Sequence, residues 1–241
     1  MAKPRDHLAV MAQRQATAAD DPDFFPTAPW GGRVIGELVT EVLDPRAESC
    51  LEPACGAMHL AHGLGDYFPT LLASDAYPYD GNRIFDFLGD APPWCEADWI
   101  ITNPPFGDNP ERFIRRAYAQ ALRGVAMLGR VGLLESLGRH SLLYRDCPLT
   151  LMAPFSERLP LVRGRWDPEA SSAAFYAWFV WIKPQRRAAQ FMARVGGVLR
   201  PAIVPIGPGT CARLPRPGGA ALVGVSVCSA VGGWGGGRWP D

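Results

Sequence analysis

The sequence predicts an α/β fold in which short buried strands end together at one edge of an open sheet, and three stretches carry that prediction. Trp99-Ile100-Ile101-Thr102 is bulky and β-branched, and it halts at Asn103-Pro104-Pro105-Phe106-Gly107. Ser49 to Glu52 runs into Pro53-Ala54-Cys55-Gly56, which reads as strand, tight turn and then helix. Leu71 to Asp75 is a second short apolar run closed by an acid. Apolar runs of this length bounded by breakers are read as strands. In an open α/β sheet, ligands bind at the C-terminal ends of the strands.

Bulk properties set the limits. A chain of 241 residues, 48% apolar, can bury one good core or one domain with a tail. Its formal charge of zero argues against a wholly basic nucleic-acid coat and leaves local patches open. Lysine occurs only at positions 3 and 183, so the cations are almost all arginine, which suits planar and phosphate recognition and also follows from codon bias. The cysteines at 50, 55, 95, 147, 211 and 228 form no C-x-x-C pair and no zinc spacing with histidine, so reduced thiols and no metal are expected. Met1 to Asp21 lacks the apolar core of a signal peptide, and no apolar run is long enough to span a membrane. The cytoplasm is the expected location.

Residues 1–22 are polar and Ala-rich and are expected to be a flexible segment. Asp23-Phe24-Phe25-Pro26-Thr27-Ala28-Pro29-Trp30 is an extended aromatic lead, and Val34, Ile35, Leu38 and Val42 then recur at helical spacing. Such a lead can pack over a ligand pocket, with the Thr27 hydroxyl offered to a carboxylate, or act as a plain hydrophobic anchor. The glycine of the first turn lets backbone approach a ligand closely. Glu52 at that strand end suits a cationic or amino-bearing ligand. Asp75 follows Gly56 by ~20 residues, the distance at which a nucleotide-binding βαβ unit places a carboxylate on ribose hydroxyls. Asp86-Phe87 suits the amino group and face of a bound adenine, with Asp80 and Asp90 as competitors for the role.

The turn after Thr102 displays an uncommon set of groups. Asn103 offers a side-chain carbonyl, Pro104 a backbone carbonyl held in a stiff turn, and Phe106 a flat ring. Two acceptors beside an aromatic plate match a planar heterocycle with an exocyclic NH2. No acidic nucleophile or metal is needed if the other reactant is a strong electrophile. Asparagine and proline are also ordinary turn residues, so the same stretch reads equally as a strand stop.

Beyond the turn, Pro110 to Arg123 is expected to be a helix burying Phe113, Ile114, Ala117, Tyr118 and Ala121, with Arg112, Arg115, Arg116 and Arg123 on its flanks. Val125 to Leu128 is another buried strand, and Leu133 to Ser136 opens a loop or helix carrying Arg139 and His140. Residues 145–172 read as an irregular insertion holding Arg158, Arg163, Arg165 and Trp166, the usual place for substrate loops. Ala173 to Ile182 is the strongest strand, dense in aromatics. From 201 onward Gly and Pro dominate, which gives a three-part division: flexible segment 1–22, domain 23–200, flexible tail 201–241.

Taken in order, these signals resemble the amino-group DNA methyltransferases that use S-adenosylmethionine (AdoMet), and most of all the small N6-adenine enzymes of phage and prophage type. Phe25-Pro26-Thr27-Ala28-Pro29-Trp30 is similar to that family's Phe-x-Thr-Pro element, Glu52-Pro53-Ala54-Cys55-Gly56 to its glycine turn, and Asn103-Pro104-Pro105-Phe106 to its catalytic motif. The resemblance spans roughly residues 23–183. It implies a Rossmann-like class I fold, a seven-stranded and mostly parallel sheet with helices on both faces. It further implies AdoMet held by Phe25, Thr27, Glu52, Pro53, Cys55, Gly56, Asp75 and Asp86. A flipped-out adenine of double-stranded DNA would stack on Phe106, its amino group held by Asn103 and Pro104 beside Pro105. Arg158, Arg163 and Arg165 would touch phosphate.

Two positions depart from the family pattern. Gly56-Ala57-Met58 replaces the usual Gly-x-Gly, so Met58 must point away from the cofactor or narrow its pocket; Ala28 stands where proline is more usual. No large target-recognition domain is evident, which implies low sequence specificity. The same Asn-Pro-Pro-aromatic turn also serves enzymes acting on cytosine N4, RNA bases and the side-chain amide of glutamine. A degenerate fold that binds DNA or a partner without turnover is a further alternative.

Overall fold

The computed structural model describes residues 23–214 apart from 80, 106, 108–109, 166, 168–169, 171, 173, 185–191 and 196–197. The expected N-terminal segment, Phe106, Trp166 and the tail beyond 214 therefore lie outside the described residues.

The aromatic lead enters helix α1 (Pro29–Glu37), where Pro29 occupies the first turn and its missing N–H costs nothing. The helix continues as a π-helical turn, Leu38–Leu43. Strand β1 (Ser49–Glu52) leads to α2 (His59–Leu64), β2 (Thr70–Asp75) and a two-residue β3 (Arg83–Ile84). Helices α1 and α2 meet backbone to backbone. A Cβ on Gly63 would fall 2.0 Å from the Pro29 carbonyl oxygen and one on Gly32 2.6 Å from that of Leu60, so both positions require glycine. Then follow β4 (Trp99–Thr102), α3 (Pro110–Gln120), β5 (Gly124–Arg130), a 3-10 turn at Val131–Leu134, α4 (Leu137–Ser141) and a π-helical turn at Leu142–Asp146. The described chain closes with β6 (Leu151–Pro154), β7 (Tyr176–Ile182), β8 (Met192–Val195), β9 (Val198–Ile203) and α5 (Thr210–Arg213).

The strands form one sheet in the order β3-β2-β1-β4-β5-β7-β6-β9-β8. Strands β3, β2, β1, β4 and β5 run parallel, and β7 lies antiparallel between β5 and β6. This mostly parallel core is an open, Rossmann-like α/β sheet, the fold class expected from the sequence. All seven residues of β7 are buried: Trp178 and Val180 face the layer that holds α1 and α2, Phe179 and Trp181 the layer that holds α3. A sheet covered on both faces explains why its strands read as continuous apolar runs.

Four expectations need correction. Among the described residues the sheet has nine strands rather than seven, because β6 is not its edge: Leu151 and Met152 pair in parallel with Ala202 and Ile203, and β8 then pairs with β9. The insertion at 145–172 is not wholly irregular, since it contains β6, a strand of four residues that follows Pro148 and ends on Pro154. Residues 201–214 are not a tail. They complete β9, bridge Ile206 to Phe155, and form α5, whose Arg213 pairs with Glu37 of α1 at 2.6 Å while Leu214 is buried. Arg123, expected on a solvated helix flank, lies past the end of α3 and pairs with Asp44, which also accepts the Trp99 indole N–H at 3.1 Å.

Candidate active site

Strands β1 and β4 are neighbours, yet the chain leaves β1 toward β2 and β4 toward β5. Such a switch point opens a crevice at the strand ends. A cleft of about 170 Å³ lies there, open to solvent at its mouth. Every residue expected to hold the cofactor lines it: Phe25 and Thr27 from the lead, Glu52, Pro53, Cys55 and Gly56 from the β1 turn, Asp75 and Asp86 from the far side. Asn103 and Pro105 line it as well, whereas Pro104 is buried behind them.

The β1 turn is built around Asp75. Gly56 has φ +48°, and its N–H donates to Asp75 Oδ2 at 2.8 Å, while the Tyr77 N–H donates to Oδ1 at 3.0 Å. Each carboxylate oxygen keeps a lone pair for a second donor. A Cβ on Gly56 would fall 2.6 Å from the Phe24 ring, so the lead packs directly on the turn. Met58 has φ +67°, the one non-glycine in that region among the described residues, and its side chain is only 4% exposed. It packs into the core and does not line the cleft, so it leaves the pocket clear.

Asn103 is held by its amide nitrogen. Nδ2 donates to the Phe25 carbonyl and to Thr27 Oγ1, each at 2.9 Å. Two acceptors around one end of the amide fix its orientation. Oδ1 is left buried with no hydrogen-bond partner among the described residues. The Thr27 hydroxyl accepts from Asn103 and keeps its own O–H for a ligand acceptor such as a carboxylate.

Glu52 is the second unpaired acceptor. Its side chain is 1% exposed, and Oε2 has no partner among the described residues. Burial pushes its pKa well above the ordinary carboxylate value, the nearby Asp75 pushes it further, and the Ala61 backbone N–H opposes the shift. Burial also raises Asp75, against the backbone N–H groups of Tyr77, Gly56 and Ala76. Burial and then the Glu52 and Asp75 carboxylates raise the Cys55 thiol beyond any working pH, so it is no nucleophile. His59 is held neutral by burial and then by His62. Among the described residues the lining includes Asp23, Glu52, Asp75 and Asp86 but no lysine or arginine. Such a cleft suits a cationic ligand and repels a phosphate.

Sequence reasoning missed Phe24 and Tyr79, whose rings lie 5.1 Å apart at the cleft, and also His59 and Phe113. Phe24 adjoins a residue that was singled out, but Tyr79 sits in an aperiodic stretch and gives no sequence signal. Phe87 was expected as an adenine platform. It is buried and packs on Phe113 with ring centroids 5.3 Å apart, so only part of it reaches the cleft. Arg158, Arg163 and Arg165 do not line the cleft. Arg158 donates to the Ser172 carbonyl at 2.6 Å and covers the Phe175 ring, and Arg165 pairs with Asp167 at 2.8 Å. Their segment still touches the lead, since the Gly164 N–H donates to the Phe24 carbonyl at 2.8 Å. Among the described residues there is no metal-ligating cluster, and no helix is long and apolar enough to cross a membrane.

No family model matches the sequence. No curated protein matches it either. Among solved structures, the chain is similar to a provisionally assigned RNA methyltransferase from Pyrococcus horikoshii, with 13% identity over 74% of this chain and 99% of the other, and a TM-score of 0.49. It is similar to the methyltransferase subunit of a type I restriction-modification system from Streptococcus thermophilus, with 11% identity over 86% and 55% of the two chains and a TM-score of 0.49. It also resembles the modification subunit of a provisionally assigned type I restriction enzyme from Vibrio vulnificus, with 16% identity over 73% and 48% and a TM-score of 0.47. The chain spans about half the length of these two subunits. Likenesses of this degree carry no activity over to this chain.

Proposed function

We propose that the protein is an AdoMet-dependent methyltransferase acting on the exocyclic amino group of a nucleic-acid base, with adenine N6 in DNA as the target. The carrying observation is Asn103: its Nδ2 is tied down twice, and its Oδ1 is a buried acceptor without a partner among the described residues, on a side chain that lines the cleft. An acceptor in that state costs about 1–3 kcal/mol until a donor reaches it, and an amino group is such a donor. The sequence Asn103-Pro104-Pro105-Phe106 adds the family resemblance, with the Pro104 carbonyl as second acceptor and Phe106 as stacking ring.

The cleft fits AdoMet in kind. Among the described residues Glu52 Oε2 is an orphaned acceptor, and the lining has four carboxyl side chains with no guanidinium or ammonium, which supports a cation over a phosphate; Asp75 would meet the ribose hydroxyls. Phe25, Thr27, Pro53, Cys55, Gly56 and Asp86 would complete the holding set. AdoMet supplies a methyl group on a sulfonium, an electrophile that a neutral amine can attack without a basic side chain. Asn103 Oδ1 holds one amino hydrogen, draws electron density toward the nitrogen and fixes its direction of approach. Phe24 and Tyr79 cover the cleft and exclude water. Catalysis then consists of positioning and preorganised electrostatics.

The test is transfer of labelled methyl from AdoMet to unmethylated duplex DNA, read by nucleoside analysis. Label should appear in N6-methyladenine and fall on the order of 10²–10³-fold in Asn103→Ala while cofactor binding persists. Label confined to RNA or protein would reassign the substrate. Absence of AdoMet binding would refute the reading.

A further inference from the structure

Residues 85–98 join β3 to β4 without a strand or helix of their own, yet Asp86, Phe87 and Leu88 form one wall of the cleft. A connection this long needs to be pinned if it is to present a rigid wall. Helix α3 does the pinning through one row of side chains at i, i+4 and i+8. Arg112 Nη2 donates to the Leu88 carbonyl at 3.1 Å. Arg116 donates from Nη1 to Gly89 at 2.5 Å and from Nη2 to Ala91 at 2.8 Å, and Gln120 Nε2 reaches Cys95 at 3.4 Å. The same helix turns Phe113 onto Phe87, and the Arg116 guanidinium lies 5.6 Å from the Phe87 ring centre, so Phe87 is held by two neighbouring turns. Neither Arg112 nor Arg116 forms an ion pair among the described residues; their charge is directed at backbone carbonyls.

We infer that Arg116, supported by Arg112, is a positioning residue for the cofactor: its forked guanidinium clips the 88–91 segment and fixes the wall that meets the purine end of the ligand. The inference rests on the AdoMet reading of the cleft. Because α3 begins five residues after Pro105, the clip also ties that wall to the element that follows the Asn103 turn. Lysine cannot replace the arginine, because an ammonium has no fork to span two carbonyls.

The experiment is calorimetric titration of AdoMet into wild type, Arg116→Ala, Arg116→Lys, Arg112→Ala and Arg115→Ala, with duplex-DNA affinity and turnover measured on the same samples. Arg115 projects from the same helix to Asp146 and serves as the control. Arg116→Ala and Arg116→Lys should both weaken AdoMet roughly tenfold, raising KM for AdoMet with kcat within about twofold and DNA affinity unchanged. Arg112→Ala, which removes a single bond, should show a smaller loss in the same direction and covers the case in which the Arg116 variants do not fold. Arg115→Ala should match wild type. Unchanged cofactor affinity in folded Arg116→Ala, full rescue by lysine, or a loss confined to DNA would each overturn the inference while leaving the AdoMet reading standing. Wild type that takes up no AdoMet would instead bring down that reading, and the inference with it.

Discussion

Replacing Glu52 by glutamine keeps the side chain's shape and removes its charge, at a site where burial has made that charge unfavourable. Oε2 has no hydrogen-bond partner among the described residues, and Asp75 adds a second carboxylate nearby. Relief of one buried, unsatisfied charged group is worth about 1–3 kcal/mol. For a domain of this size each kcal/mol moves the midpoint by roughly 2–4 °C. Glu52→Gln should therefore raise the melting temperature of the ligand-free protein by about 2–12 °C at pH 7.5. The pH dependence gives a second signature. A carboxyl whose pKa is raised on folding binds its proton more tightly in the native state, so stability falls as pH rises from the unfolded value of about 4.3 through the raised native value. Wild type should gain on the variant as pH is lowered through that window, and the gap should close near its lower end. Affinity should move the other way. A hydrogen bond to a charged acceptor contributes about 1.5–3 kcal/mol, so the variant should bind AdoMet at least about tenfold more weakly. Thermal unfolding from pH 5 to 8 and calorimetric titration read both effects. A variant that is less stable at pH 7.5, or a gap independent of pH, would refute the electrostatic account of Glu52. Unchanged affinity would remove Glu52 from the cofactor site.

Thr27→Val deletes one of the two acceptors that orient the Asn103 amide; methyl transfer should drop by roughly 10-fold with AdoMet affinity within about twofold, separable by single-turnover kinetics. Met58→Gly relieves a left-handed backbone position worth about 1 kcal/mol but deletes a buried side chain worth about 2–5 kcal/mol. The net should be a loss of about 1–4 kcal/mol in urea unfolding, with cofactor affinity unchanged because the side chain points into the core.

Much of this was legible because the central strands are buried on both faces and end in breakers. Trp99–Thr102 was delimited to the residue, since Pro104-Pro105 leaves no doubt where pairing stops. The cleft residues were legible for a related reason: strand ends in a parallel sheet converge, so Glu52, Asp75 and Asn103 had to meet once the order was right. Strand β6 was not legible, because four residues ending on a proline carry no periodicity and their pairing is decided by β7, already apolar on both sides. Residues 201–206 failed similarly. Gly and Pro weaken local propensity, but the open edge of β6 supplies the ladder that Ala202 and Ile203 need. The arginines were less legible. Those at 158 and 165 bond a local carbonyl and a local acid, whereas those at 112 and 116, placed on the helix flank by the sequence, hold the carbonyls of the segment behind the cleft.

What no local reading supplies is the direction of the Asn103 amide. In isolation the side chain can present oxygen or nitrogen to the cleft, and only the first serves an amino-bearing substrate. The choice is made by Phe25 and Thr27, 78 and 76 residues earlier, whose carbonyl and hydroxyl oxygens claim the nitrogen and turn the oxygen outward. Those two residues also line the cleft where the family resemblance places the cofactor. On the proposed reading, one short segment would therefore shape the cofactor wall and set the polarity of the target acceptor. Displacing the lead from Gly56 or from Gly164 would disturb both at once. The acceptor would then be aimed only while the lead is seated. That would make the contact of Phe24 with the glycine turn a condition for chemistry as well as for binding.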